Sequence, residues 1–113
     1  MIKKLYKNFL NSINGIKIAL KENSFVLELI GGIFIIPYVI FLETSSLTKL
    51  LIITVYFLLL AFEILNTSIE KLCDKITKRK DQDIKKIKDL ASSAVFVVLL
   101  ILIFLLILTF SNY

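Results

Sequence analysis

The sequence predicts an all-α membrane protein, with three transmembrane helices behind an N-terminal amphipathic helix that lies on the membrane surface. Two observations carry that prediction. Of 113 residues, 58% are hydrophobic, with only one Pro and three Gly. A soluble domain of this length keeps too much of its surface in water to hide so much apolar side chain. The apolar residues also gather into runs long enough to cross about 30 Å of hydrocarbon as helices. The length allows one domain, residues 1–113.

Residues 1–21 form no continuous apolar stretch and lead to no small-residue cleavage site, so they are not expected to be a cleavable signal peptide. Ile2, Leu5, Tyr6, Phe9, Ile13, Ile16 and Leu20 recur at helical spacing, with Lys3, Lys4, Lys7, Asn11 and Lys21 largely between them. Such a helix could pack on a soluble core, but no soluble core is available elsewhere, and the membrane surface is the better seat. The three spans cover residues 24–42, 47–69 and 90–110. The first contains Glu28 and Pro37, and the second carries Glu63 and Asn66 near its end. The third has no polar side chain from Ala94 to Leu108.

Basic residues give the orientation. Five lysines sit in the N-terminal arm, and eight Lys or Arg lie between Lys71 and Lys88. The segment after the first span has Lys49 alone, and Ser111-Asn112-Tyr113 has none. By the positive-inside rule, the N-terminus and the segment after the second span are cytoplasmic and the C-terminus is outside, in a multi-pass protein of the bacterial cytoplasmic membrane. The net charge of +5 alternates with membrane-length apolar runs, which points to anionic headgroups rather than nucleic acid. A lone Cys73 and the absence of His exclude a disulfide framework and the usual zinc clusters.

The acids are placed unevenly. Glu22 and Glu28 flank the cytoplasmic start of the first span, Glu63, Glu70 and Asp74 the cytoplasmic end of the second, and Lys88 and Asp89 open the third. At about 100° per residue, Glu63, Asn66, Glu70 and Asp74 form one stripe within roughly 80° of arc, with Glu63 about 10 Å deeper than Glu70. A charge deep in a span costs on the order of 2.5–3.5 kcal/mol on insertion scales, so it needs a partner or a function. A structural hydrogen bond between helices would serve. A carboxylate held away from water also suits removal of a proton from an alcohol. Glu22 and Glu70, nearer water, suit a divalent cation such as magnesium, which accepts one or two carboxylates plus nucleotide phosphates. Lys88 and the start of the third helix offer positive charge and free N–H groups to phosphate. Glycine occurs only at positions 15, 31 and 32, so neither a Walker motif nor a kinase glycine loop is present.

The run Glu63-Ile64-Leu65-Asn66-Thr67-Ser68-Ile69-Glu70, Asp74, and Lys88-Asp89-Leu90-Ala91-Ser92-Ser93-Ala94-Val95 resembles the prokaryotic diacylglycerol kinase family. Glu22-Asn23-Ser24-Phe25-Val26-Leu27-Glu28 is similar to that family's E-x-x-F-x-x-E stretch, and the likeness covers nearly the whole chain. The resemblance implies a homotrimeric bundle that phosphorylates diacylglycerol with magnesium-ATP to give phosphatidic acid. It implies Glu63 as catalytic base and Glu22 and Glu70 as metal ligands. Glu22, Asn66, Glu70, Lys88 and Asp89 would surround the nucleotide, as would Asp81, which stands where the family has a His. Phe25, Glu28, Glu63 and Ser92 would meet the lipid. The chain departs from the family in spacing Gly15 from Glu22 one residue more closely, and in Ala91-Ser92 where Gly-Ser is common.

Gram-positive members of that family phosphorylate undecaprenol. Ser92-Ser93-Ala94-Val95 and the Phe25 context resemble the diacylglycerol branch, while Asn66-Thr67 also occurs in the other. A small oligomeric pore or holin-like protein is a further alternative. Its polar residues should continue along a lumen, yet the outer halves of all three spans are nearly featureless.

Overall fold

The computed structural model describes residues 1–111; Asn112 and Tyr113, and with them the expected exit of the C-terminus, lie outside the described residues. The chain forms α1 (Ile2–Ala19), α2 (Asn23–Phe41), α3 (Ser46–Ile76) and α4 (Gln82–Ser111). Three of them, α2, α3 and α4, are long and apolar enough to cross a membrane. The apolar runs mark where hydrocarbon would begin and end, and the helices do not stop there. α3 continues past residue 69 to Ile76, and α4 begins at Gln82 rather than at 90. Lys and Glu are good helix formers, so the polar ends of both helices stay wound in water. Most of the basic residues expected in a loop therefore stand on helical extensions, and the connection shrinks to residues 77–81.

Local chemistry sets the ends. Lys21 and Glu22 N–H groups donate to Ile18 and Ala19 carbonyls at 3.1 and 2.9 Å, a tight turn between α1 and α2. Pro37 sits inside α2, where it supplies no N–H, yet the helix runs on to Phe41. Lys49 Nζ then donates to the Ile40 carbonyl at 2.9 Å, satisfying one of the acceptors a helix end leaves free. Ser45 caps α3 by accepting from the Thr48 N–H at 3.2 Å. Asp81 caps α4, its Oδ1 accepting from the Asp83 and Ile84 N–H groups at 2.9 and 3.0 Å.

α3 is the central helix, packed along α4 on one side and α2 on the other, with a smaller contact to α1. Its buried stripe reads Ile52, Tyr56, Leu59, Leu60 and then Glu63 and Asn66. The interior is thus apolar for most of its depth and turns polar toward the end that joins α4. At the opposite end the Tyr38 and Thr109 hydroxyls meet at 3.1 Å and tie α2 to α4. The molecule measures 50 × 42 × 23 Å, so its short dimension is about two helix diameters. Such a slab has little inside, and Phe34 and Phe41 remain 73% and 85% exposed. Against lipid tails, which are as apolar as these side chains, that exposure is not a liability.

Candidate active site

The polar end of the α3 stripe is where the acids converge. Glu63 is buried, and the Glu28 carboxyl on α2 is its neighbour across the interface between the two helices. Two carboxylates are acceptors only, so neither supplies a proton to the other. Glu28 Oε2 is accordingly buried with no hydrogen-bond partner. One turn along α3, buried Asn66 donates from Nδ2 to Glu70 Oε1 at 3.0 Å, the i,i+4 pairing that helix geometry brings together. Asn66 Oδ1 is the second buried oxygen that lacks a partner among the described residues.

Glu22 joins from the turn ahead of α2. It occupies the N-cap position with extended backbone, but its side chain does not cap. The carboxylate is turned across to α3, where Lys71 Nζ lies 3.1 Å from Oε1. The carboxylates thus come from the N-cap of α2 (Glu22), its second turn (Glu28) and the second half of α3 (Glu63 and Glu70), with Lys71 paired to Glu22.

The α4 side is basic. Lys88 Nζ donates to Asp74 Oδ1 at 2.6 Å, and Lys85 to Asp89 Oδ2 at 2.8 Å. At roughly 1.5 Å per residue, 31-residue α3 is longer than the hydrocarbon by about 15 Å, so Asp74 stands beyond the membrane. The hydrogen bond from Lys88 holds the Asp74 carboxyl below the usual carboxylate range, and the same bond raises the Lys88 ammonium above its own. Lys88 also borders a hollow of about 570 Å³ whose walls include Lys78, Arg79, Lys80 and Lys85. One lysine thus links the acids of α3 to a cationic recess large enough for phosphate groups.

Of the residues singled out in the sequence, the structure brings together Glu22, Glu28, Glu63, Asn66 and Glu70, and joins Asp74 to Lys88. Asp89 is paired within α4, and Asp81 is engaged as the α4 cap. Phe25 is buried in the apolar core, and Ser92 is exposed on α4. Two residues went unremarked in the sequence. Lys71, the partner of Glu22, looks like one more positive-inside lysine until its ion pair is seen. Tyr56, whose hydroxyl donates to the Glu28 carbonyl at 2.9 Å, lies seven residues before Glu63 and so on the same helix face. That spacing was the available signal.

A divalent cation can be tested against this arrangement. Among the described residues, no group of three acidic, Cys or His side chains forms a metal site by itself. Glu22 and Glu70 are of the donor type that magnesium takes, one or two carboxylates with the shell completed by nucleotide phosphates and water, and each is engaged by one neighbour, Lys71 or Asn66. The unpartnered Asn66 Oδ1 and Glu28 Oε2 are hard oxygens of the kind such a site uses.

Residues 10–110 match the family model for prokaryotic diacylglycerol kinase. Among characterised proteins, the chain is similar to the diacylglycerol kinase of Haemophilus influenzae, 32% identical over 91 residues, which is 80% of this chain and 77% of that protein.

Proposed function

Because the chain belongs to the prokaryotic diacylglycerol kinase family and is a lipid kinase of that type, we propose that it transfers the γ-phosphate of ATP to diacylglycerol, giving phosphatidic acid. The observation that supports this most is the set of buried acceptor oxygens beside Glu63. Two buried oxygens there, Glu28 Oε2 and Asn66 Oδ1, have no donor among the described residues. An alcohol O–H and a metal-bound nucleotide are the kinds of group that would complement such acceptors.

In the proposed reaction, Glu63 is the base. The diacylglycerol hydroxyl oxygen forms a bond to the γ-phosphorus, and the bond from that phosphorus to the β,γ-bridging oxygen breaks. ADP leaves, and the hydroxyl proton passes to Glu63. There it lies against Glu28, where one proton between two carboxyls supplies the donor that both lack. Glu22 and Glu70 would hold magnesium, which would neutralise charge on the phosphates. Asn66 aims Glu70 and turns its own oxygen to the same site. Lys88, paired with Asp74 at the edge of the recess, would meet the phosphates, and the recess would receive the rest of the nucleotide. Asp81 borders that recess, and Asp89 reaches it only through its ion pair with Lys85. Phosphoryl transfer asks mainly for positioning and charge neutralisation, which this set can supply without a P-loop.

The same reading places the protein in the bacterial cytoplasmic membrane, with the N-terminus and the acids in the cytoplasm where ATP is found, and α1 lying on the surface. A homotrimer would cover the exposed flanks of the thin protomer. Ser92, exposed on α4, would lie along the lipid's path, whereas Phe25, buried in the apolar core, would bear on it only through packing. A pore is less consistent with α3, whose inner stripe is sealed by Ile52, Tyr56 and Leu59 above the acids.

The test is competition in mixed micelles, with labelled ATP and equal amounts of diacylglycerol and undecaprenol. Phosphatidic acid as the main product is the expected result. Preferential labelling of undecaprenol would keep the phosphotransfer site and replace the substrate. Labelling of neither would remove the proposal.

A further inference from the structure

Above the acid pair, α2 and α3 meet through an unusual contact. Gly32 stands one turn beyond Glu28 on α2, and the Tyr56 ring lies directly against it. A Cβ at position 32 would overlap the Tyr56 hydroxyl and the ring carbon that bears it. The adjacent Gly31 has no such neighbour, so of the two glycines only the second is needed for close approach. Tyr56 is 3% exposed, and its hydroxyl donates to the Glu28 backbone carbonyl at 2.9 Å. That carbonyl belongs to the residue whose side chain faces Glu63.

Tyr56 and Glu63 are seven residues apart on α3, which returns them to the same face about 10 Å apart along the axis. Gly32 and Glu28 are four apart on α2 and share a face likewise. The two contacts therefore lie on one line across the same interface. One is a ring seated on bare backbone, and the other is the carboxyl pair.

We infer that Tyr56 is a positioning residue for this site: seated on Gly32, its hydroxyl anchors the α2 backbone at Glu28 and fixes how closely the Glu28 carboxyl approaches Glu63. The inference rests on the reading of Glu63 as base. The device is sensitive because Gly32 leaves no slack. Any side chain there must drive the ring away or separate the helices, and a misplacement of about 1 Å at a catalytic centre can cost on the order of 100-fold in rate.

Three variants test it. Tyr56→Phe keeps the ring and removes the donor, and should lower kcat by up to about tenfold, the worth of one neutral hydrogen bond. Gly32→Ala should lower kcat by roughly 100-fold. Gly32→Ala/Tyr56→Leu, which removes the ring that the new Cβ meets, should recover activity to near the Tyr56→Phe level. KM for ATP should hold throughout, because the nucleotide recess lies at α4. A purely structural role would instead lower the amount of folded protein and leave kcat per folded molecule unchanged.

A second measurement needs no catalysis. Cysteines replacing Glu28 and Glu63, in a Cys73→Ser background, should be bridged rapidly by a short bis-methanethiosulfonate, each thiolate displacing a sulfinate to form a mixed disulfide. Bridging should slow when Gly32→Ala is added, and recover when Tyr56→Leu is added as well. Wild-type kcat in Tyr56→Phe and Gly32→Ala, or cross-linking indifferent to Gly32→Ala, would overturn the inference. A wild type that phosphorylates no lipid would overturn the kinase reading, and with it the catalytic meaning of the contact, even if cross-linking behaved as expected.

Discussion

Replacing Asn66 by Leu separates two roles of one buried side chain. Asn66 donates to Glu70 Oε1 at 3.0 Å and keeps Oδ1 buried without a partner. Leu is close to Asn in size and removes both features. The lost hydrogen bond, made to a charged group, is worth about 1.5–3 kcal/mol. The lost orphan oxygen had cost about 1–3 kcal/mol by its burial. These offset, so the variant should match the parent in stability to within about 1 kcal/mol. Function should not be spared. An aiming partner behind a metal ligand typically accounts for 10–100-fold in metal affinity. The half-saturating magnesium concentration should therefore rise by about that factor at saturating ATP and lipid, while the rate at high magnesium recovers most of its value. The assay is a magnesium titration of lipid phosphorylation in micelles, alongside thermal unfolding of the same preparation. An unchanged magnesium requirement in a folded variant would refute the link between Asn66, Glu70 and the metal.

Other perturbations follow from neighbouring contacts. Glu63→Gln should reduce kcat by about 10²–10⁴, yet unfold no sooner than the parent on heating, since its amide can donate to the buried Glu28 oxygen that has no partner. Lys71→Met frees Glu22 from an exposed ion pair at 3.1 Å. Exposed pairs are worth about 0.2–1 kcal/mol, so the magnesium requirement should fall by at most about fivefold. It should not rise. Asp74 is held below its ordinary value of 3.8 by Lys88. A carboxyl depressed in the folded state contributes stability above 3.8 and loses it as pH falls through the lower folded value. The stability difference between parent and Asp74→Asn should thus be flat through neutral pH and fade only in acid; a midpoint near neutrality would contradict it.

The spans were legible because membrane crossing is a question of length and polarity, which a sequence records directly. α2 at Asn23–Phe41 lies within a residue of its expected place. The ends of α3 and α4 were not, because hydropathy marks the edge of the hydrocarbon and a helix need not stop there. Helical periodicity placed Glu63, Asn66 and Glu70 on one face of α3, where the structure has them. What it could not supply was contact between helices. The approach of Glu28 to Glu63 depends on the rotation of α2, which is set by Gly32 and Tyr56, a pair 24 positions apart and featureless separately. Lys71 was hidden for a different reason. Its charge was already accounted for by orientation, and nothing local distinguishes the one lysine that turns toward Glu22.

The most direct measurement is transfer of labelled γ-phosphate from magnesium-ATP to diacylglycerol by purified wild type and Glu63→Gln in parallel. Label in phosphatidic acid with wild type, falling at least about 100-fold in folded Glu63→Gln, is the predicted result. Equal labelling by the two proteins would contradict the assignment of the buried carboxyl pair as the site where the lipid hydroxyl loses its proton.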